Sequence, residues 1–406
     1  MEATKVLQKQ KLLVPKLRFK GFDGEWSKKQ LNSIVEKVNS GKTPLGGNSV
    51  YVEEGILFIR SQNVLDSKLS YENSTFITKE INDTMKNSIV KPNDILLNIT
   101  GASLGRSCVV PKEFTVGNVN QHVCIIRLTK ENEPYFLQPI FESKKGQNIF
   151  SSLQTGSGRE GLNFQSIKKI ILSIPTLTEQ QKIASFLSAV DEKIQQLTRK
   201  KGLLEQYKKG VMQQLFSGKL KFKDENGKAF PEWEEKRLGD VSVFLDGRRK
   251  PIKSQDRAQM KGEFPYYGAS GIIDYVNQYL FDEEIILLGE DGENIVSRNL
   301  PLAFKVSGKC WVNNHAHVIK PNQGTDIDFL TYSLERVNYV IYNTGTAQPK
   351  LNQEVCRNIP LSMPSFDEQK KIANYLSNID NKIESVNKQI AQTQTFKKGL
   401  LQQMFV

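Results

Sequence analysis

The 406-residue sequence predicts a mixed α/β protein: two similar strand-containing domains separated by two long helices that form an antiparallel coiled coil, with a pseudo-two-fold internal repeat. Three observations carry this expectation. The stretch PTLTEQQKIASFLSAVDEKI from Pro175 returns as PSFDEQKKIANYLSNIDNKI from Pro364, identical at 11 of 20 places. The same offset of 189 aligns Lys208-Lys209-Gly210 with Lys397-Lys398-Gly399, Phe216 with Phe405, and Leu162-Asn163 with Leu351-Asn352. A strand-rich segment precedes each copy. The chain therefore divides into residues 1–174, 175–217, 218–363 and 364–406.

Each repeated segment reads as one helix. Ile183, Leu187, Val190, Ile194 and Leu197 in the first copy, and Ile372, Leu376, Ile379, Ile383, Val386 and Ile390 in the second, follow alternating steps of four and three. That spacing is a heptad seam, which a lone helix cannot bury. Thr176-x-x-Glu179 and Ser365-x-x-Glu368, each directly after a proline, read as capping boxes. Gly210 and Gly399 share one heptad place, which reads either as room for a close helix contact or as a tolerated defect costing about 1 kcal/mol each relative to alanine.

In the globular segments, residues 55–64, 94–100 and 122–128 are strand-like. Residues 284–289, 302–306 and 315–320 are read as their counterparts. The entrances KLRFKGFDGEW and KLKFKDENGKAFPEW correspond, as do the exits TGSGREGLN and TGTAQPKLN; between them the segments diverge. Similar frames with unlike contents suggest two readers of different things.

Composition narrows the function. Net charge is +12, which points to a polyanionic partner. Residues 1–174 hold 24 basic against 16 acidic groups, whereas residues 218–363 hold 19 against 20. The second reader must sort its charges onto one face. The longest apolar run is too short for a membrane span. Four scattered cysteines imply neither a disulfide framework nor a zinc site, so a cytoplasmic protein without metal is expected.

The order reader, helix, reader, helix resembles the specificity subunit of type I restriction-modification systems over essentially the whole chain. The two helical repeats carry the likeness. So do Phe58-Ile59-Arg60-Ser61-Gln62-Asn63, residues 156–163, Tyr267-Gly268-Ala269-Ser270-Gly271, Gly289-Glu290-Asp291-Gly292 and residues 344–352. The resemblance implies two target-recognition domains, 1–174 and 218–363, held apart by the helices at 175–217 and 364–406. It implies double-stranded DNA, two methyltransferase subunits and restriction subunits as partners. No cofactor is expected on this chain; S-adenosylmethionine, ATP and Mg belong to the partner subunits.

No catalytic residue is expected, because methyltransferase, nuclease and helicase motifs are missing. Residues 156–161 fit GxGxxG but lack the acidic ribose ligand, and His315-Ala316-His317 reads more readily as an ordinary strand segment than as a metal site. Base readout needs Arg for guanine and Asn or Gln for adenine, while phosphates need Lys, Arg, hydroxyls and backbone N–H groups. The first reader offers Lys42, Thr43, Arg60, Gln62, Asn63, Arg106, Gln121 and Arg159. The second offers Arg248, Arg249, Lys250, Tyr267, Ser270, Asn294, Asn314, Gln348 and Lys350. The rival readings are a stand-alone DNA-binding regulator and an enzyme using the 156–161 loop for a nucleotide.

Overall fold

The repeated stretches become helices Leu177–Phe216 and Phe366–Met404, of 40 and 39 residues. The computed structural model describes residues 13–65, 67–154 and 161–406. They form two compact units, one running to Lys200 and joined by Val386–Val406, the other Lys201–Ser385. Each unit thus takes the head of one helix and the tail of the other.

In the first unit Ile183, Leu187 and Val190 from the head of the first helix share a core with Leu400, Leu401 and Met404 from the tail of the second. In the other unit Ile372, Leu376 and Ile379 share a core with Val211 and Leu215. Head lies against tail, so the helices run antiparallel. Leu197 and Val386 are also buried, while Ile194, Ile383 and Ile390 are half-buried. One ion pair occurs twice at matching places of the repeat: Lys397–Asp191 at 2.8 Å and Lys208–Asp380 at 2.7 Å.

Identical fittings hold each helix head. Gln180 accepts the backbone N–H of Glu133 and donates to the Pro175 carbonyl; Gln369 does the same with Asp326 and Pro364. Phe405 packs edge-on against Trp26 and Phe136, and Phe216 packs against Trp233 and Phe329. A buried tryptophan needs an acceptor for its N–H. Glu179 accepts from Trp26 and Arg18, and Glu368 from Trp233.

This use of the glutamates corrects the capping-box reading. The Thr176 hydroxyl does accept the Glu179 N–H at 3.4 Å, but neither glutamate reaches back, and Ser365 Oγ is buried without a partner. Of the two readings of the glycines, the close contact is overturned. A Cβ at Gly210 or Gly399 would meet nothing within 4 Å, so neither permits a close contact.

The globular parts repeat one plan. A four-stranded antiparallel sheet is ordered Ser107–Val109, Ile95–Asn98, Val123–Leu128, Val35–Ser40 in the first unit. The second unit orders Ala303–Val306, Ile285–Gly289, Ala316–Pro321, Ser242–Phe244. A second sheet contributes one parallel pair in each unit: Gly117–Val119 on Ile56–Ile59, and Lys309–Val312 on Lys261–Gly268. The strand-like segments are therefore present, but their correspondence is corrected. Ile56–Ile59 answers to Lys261–Gly268, and Ile95–Asn98 to Ile285–Gly289. Only the strands after His122 and His315 were matched correctly. A short strand pair, Ser27–Gln30 with Ile171–Ile174 or Glu234–Arg237 with Pro360–Met363, closes each unit beside its helix head.

Candidate nucleic-acid interface

At the end of each parallel strand pair the chain makes a three-residue turn, Asn120-Gln121-His122 or Asn313-Asn314-His315. The asparagine is buried in both, and its Oδ1 accepts the N–H of the histidine two residues on. That local bond is an Asx turn, which asparagine favours because its side chain mimics a backbone carbonyl. It pushes the middle residue out, and Gln121 and Asn314 are both exposed.

Three backbone bonds lock the turn identically. Asn120 N–H donates to Ile59 O, and Asn313 N–H to Tyr267 O. His122 O accepts from Ile99 N–H, and His315 O from Glu290 N–H. Leu162 N–H then donates to Ile99 O, and Leu351 N–H to Glu290 O. The turn, two strand ends and the chain's exit segment therefore meet at one edge of each unit. Side chains extend the pattern: His122 Nδ1 lies 2.6 Å from the Thr100 hydroxyl, and His315 Nδ1 lies 2.8 Å from Asp291.

Around this shared frame the predicted residues separate. In the first unit, Lys42 and Thr43 follow the strand Val35–Ser40, and the Thr43 hydroxyl meets Gln121 Oε1 at 2.5 Å. Lys42 and Arg106 are exposed and join no ion pair among the described residues. Arg60 follows Ile59 beside the turn, and its Nε is buried without a partner. Gln62 donates to the Asn73 carbonyl. Asn63 is 1% exposed and spends both amide protons on Ser70 and Glu72 carbonyls, so it holds its own turn and has no donor left for a base. Arg159 lies outside the described residues, as does the 156–161 loop apart from Gly161.

The second unit is internally neutralised. Arg248 pairs with Glu283 at 2.6 Å and lies over the Phe281 ring; Lys320 and Arg248 hold the Glu283 carboxyl below its usual range. Arg249 is clamped by Glu290, Asp246 and the Ala316 carbonyl. Arg249, expected to face DNA, is thus held within the fold, whereas Arg248 keeps 47% of its side chain exposed. Asn294 likewise pins Leu300 and Pro301. Tyr267 is half-buried, and burial raises its pKa. Lys350 pairs with Glu290 at 3.4 Å. Lys250, Ser270, Asn314 and Gln348 remain exposed.

His317 is no metal ligand. It is 1% exposed, with Nδ1 on Asp246 at 2.6 Å and Nε2 on the Leu351 carbonyl at 3.0 Å. Two acceptors require both ring nitrogens to carry protons. Burial lowers its pKa, but the hydrogen bonds to Asp246 and Cys356 outweigh burial and raise it to about 10. A histidine raised in the folded state stabilises fully below its unfolded pKa near ~6.5, and that contribution fades as pH climbs through about 10. Urea melts of His317→Gln and the parent chain should therefore differ most at or below neutral pH and converge by pH ~10. A gap that widens with pH would contradict a charged His317.

Sequence reasoning picked Gln121 and Asn314 but missed the turn that presents them. The missed signal was the Asn-x-His pattern at residues 120–122 and 313–315.

Comparison with known proteins followed the same two-part division. The family model for the type I restriction modification DNA specificity domain matches residues 23–206 and again 231–394. A Methanocaldococcus jannaschii protein named as the MjaX specificity subunit is 26% identical, covering 93% of this chain and 92% of that one. A Haemophilus influenzae chain named as a type I restriction enzyme specificity subunit is 34% identical over 145 residues, 36% of this chain and 37% of its own length. In fold, the chain is similar to the type I restriction-modification S subunit from M. genitalium, with a TM-score of 0.65 and 18% identity over 97% of this chain and 99% of that one.

Proposed function

The chain belongs to the type I restriction modification DNA specificity family, and from that premise we propose that it recognises a bipartite duplex target, one half-site per unit, for a type I restriction-modification complex. One observation carries the reading: the same turn-centred frame occurs in both units with different side chains around it. A shared frame brings corresponding loops to DNA, and unlike loops read unlike sequences. Lys42, Arg106 and the orphaned Arg60 Nε supply cationic groups in the first unit without internal acceptors. In the second unit Lys250 supplies a cationic group, and Ser270 and Gln348 supply neutral polar ones.

The chain itself is non-catalytic in this reading. Two methyltransferase subunits dock on it, restriction subunits join for cleavage, and S-adenosylmethionine, ATP and Mg are held by those partners. The complex acts in the cytoplasm; no helix among the described residues is long and apolar enough to cross a membrane. A stand-alone regulator is less favoured, since it leaves the duplicated helix heads without a use.

The test is transfer of labelled methyl groups to DNA. The purified chain should transfer none. With its methyltransferase partner it should direct methylation to one bipartite sequence. Methyl transfer by the chain alone would overturn the non-catalytic assignment, and methylation without a bipartite pattern would overturn the recognition role.

A further inference from the structure

We infer that Gln121 and Asn314 are corresponding specificity-determining residues, each reading the major-groove edge of an adenine in its own half-site. This rests on the recognition role above and goes beyond it by naming the base. The two residues lie 193 positions apart, outside the 189-residue offset of the helical repeat, so the repeat does not align them. The fold does. Each is the middle residue of an Asx turn anchored by a buried asparagine, at the end of the parallel strand pair, and each is exposed.

Both are carboxamides, whereas their neighbours differ freely: Thr100 becomes Asp291, and Arg60-Ser61 gives way to Gly268-Ala269. The hydrogen-bond inventory of Gln121 favours one partner. A carboxamide has two acceptor positions and two donor protons. The Thr43 hydroxyl occupies one acceptor position at 2.5 Å, and His122 Nε2 takes one proton at 3.0 Å. One acceptor position and one donor proton remain. The adenine edge offers N6–H and N7, a donor and an acceptor in the complementary order. The same two contacts that use half of Gln121 also fix its plane, which lowers the cost of ordering it on binding. Asn314 makes no side-chain hydrogen bond among the described residues, so its whole carboxamide is open.

The experiment uses the full chain assembled with its methyltransferase, with methylated sites mapped genome-wide for the parent, Gln121→Leu and Asn314→Leu. The parent motif comes first: if it is not bipartite, the recognition role fails before this inference is reached. Given a bipartite motif, each variant should lose discrimination at a single A·T position, in opposite half-sites, by about 5- to 150-fold. Thermal melting separates a misfolded variant from a misreading one, and the two variants report independently. A folded variant that keeps its motif sharp, or that weakens all sites evenly, overturns the inference. So does relaxation at a G·C position.

Discussion

Replacing Lys397 by methionine is expected to destabilise the first unit by about 3–5 kcal/mol at neutral pH, the usual cost of breaking a buried ion pair from one side. Lys397 is 7% exposed. Its ammonium meets Asp191 at 2.8 Å, Glu142 at 2.9 Å and the Ser67 hydroxyl. Burial lowers its pKa, and the two carboxylates more than restore it. Burial in turn raises the pKa of Asp191, only partly offset by Lys397. Methionine fills the same space but leaves two half-buried carboxylates facing each other. The matching lysine of the repeat, Lys208, provides the control. Its partner Asp380 is 40% exposed and also accepts the Tyr332 hydroxyl, so Lys208→Met should cost about 1 kcal/mol or less. Hydrogen exchange followed peptide by peptide in urea reads the two units separately. The Lys397 penalty should also shrink in acid, as Asp191, whose pKa burial raises, takes up a proton. Equal effects at the two lysines, or a Lys397 loss that grows in acid, would contradict the account.

The second large effect concerns specificity. Grafting residues 35–128 from a relative with a different target should replace one half-site completely and leave the other untouched. These bounds follow from the packing. They carry the turn at residues 120–122 and every described candidate of the first unit. They leave in place Trp26, Phe136 and Phe405, the Gln180–Glu133 clamp and the Lys397–Glu142 pair, which close the unit on its helices. A wider exchange risks unfolding for reasons unrelated to DNA. Methylation mapping of the graft decides the matter: simultaneous change in both half-sites would mean that the units do not read independently.

The helices were legible because the chain writes them twice, so each heptad position had an internal control. The antiparallel arrangement was legible from the intervening segment, which is long enough to let the chain return. The glutamates of the supposed capping boxes were misread because the competing demand came from far away in sequence: Trp26 is 153 residues from Glu179. The internal partners of Arg248 and Arg249 went unforeseen for a related reason. Their acceptors, Glu283 and Glu290, lie 35 and 41 residues on, and no local pattern announces them. Asn63 looked like a reader because it is polar and sits in a loop. Its burial comes from the turn it closes. The turn frame escaped notice because insertions between strands shift it off the helical offset.

The first unit is stitched from two stretches of chain, one ending at Lys200 and one beginning at Val386, whereas the second is continuous. On a ribosome that difference becomes a schedule. Lys201–Ser385 can close its core as soon as it emerges, while the first unit waits for Lys397, Leu401 and Phe405. At ~5–20 residues per second, the intervening stretch imposes a delay of about 10–40 s. Throughout that interval the faces of Trp26, Phe136 and the first helix head that meet Phe405 and the second helix's tail stand uncovered. The portion translated first is thus the last to be finished, and the nascent chain needs its greatest protection from aggregation while its second unit is still being made.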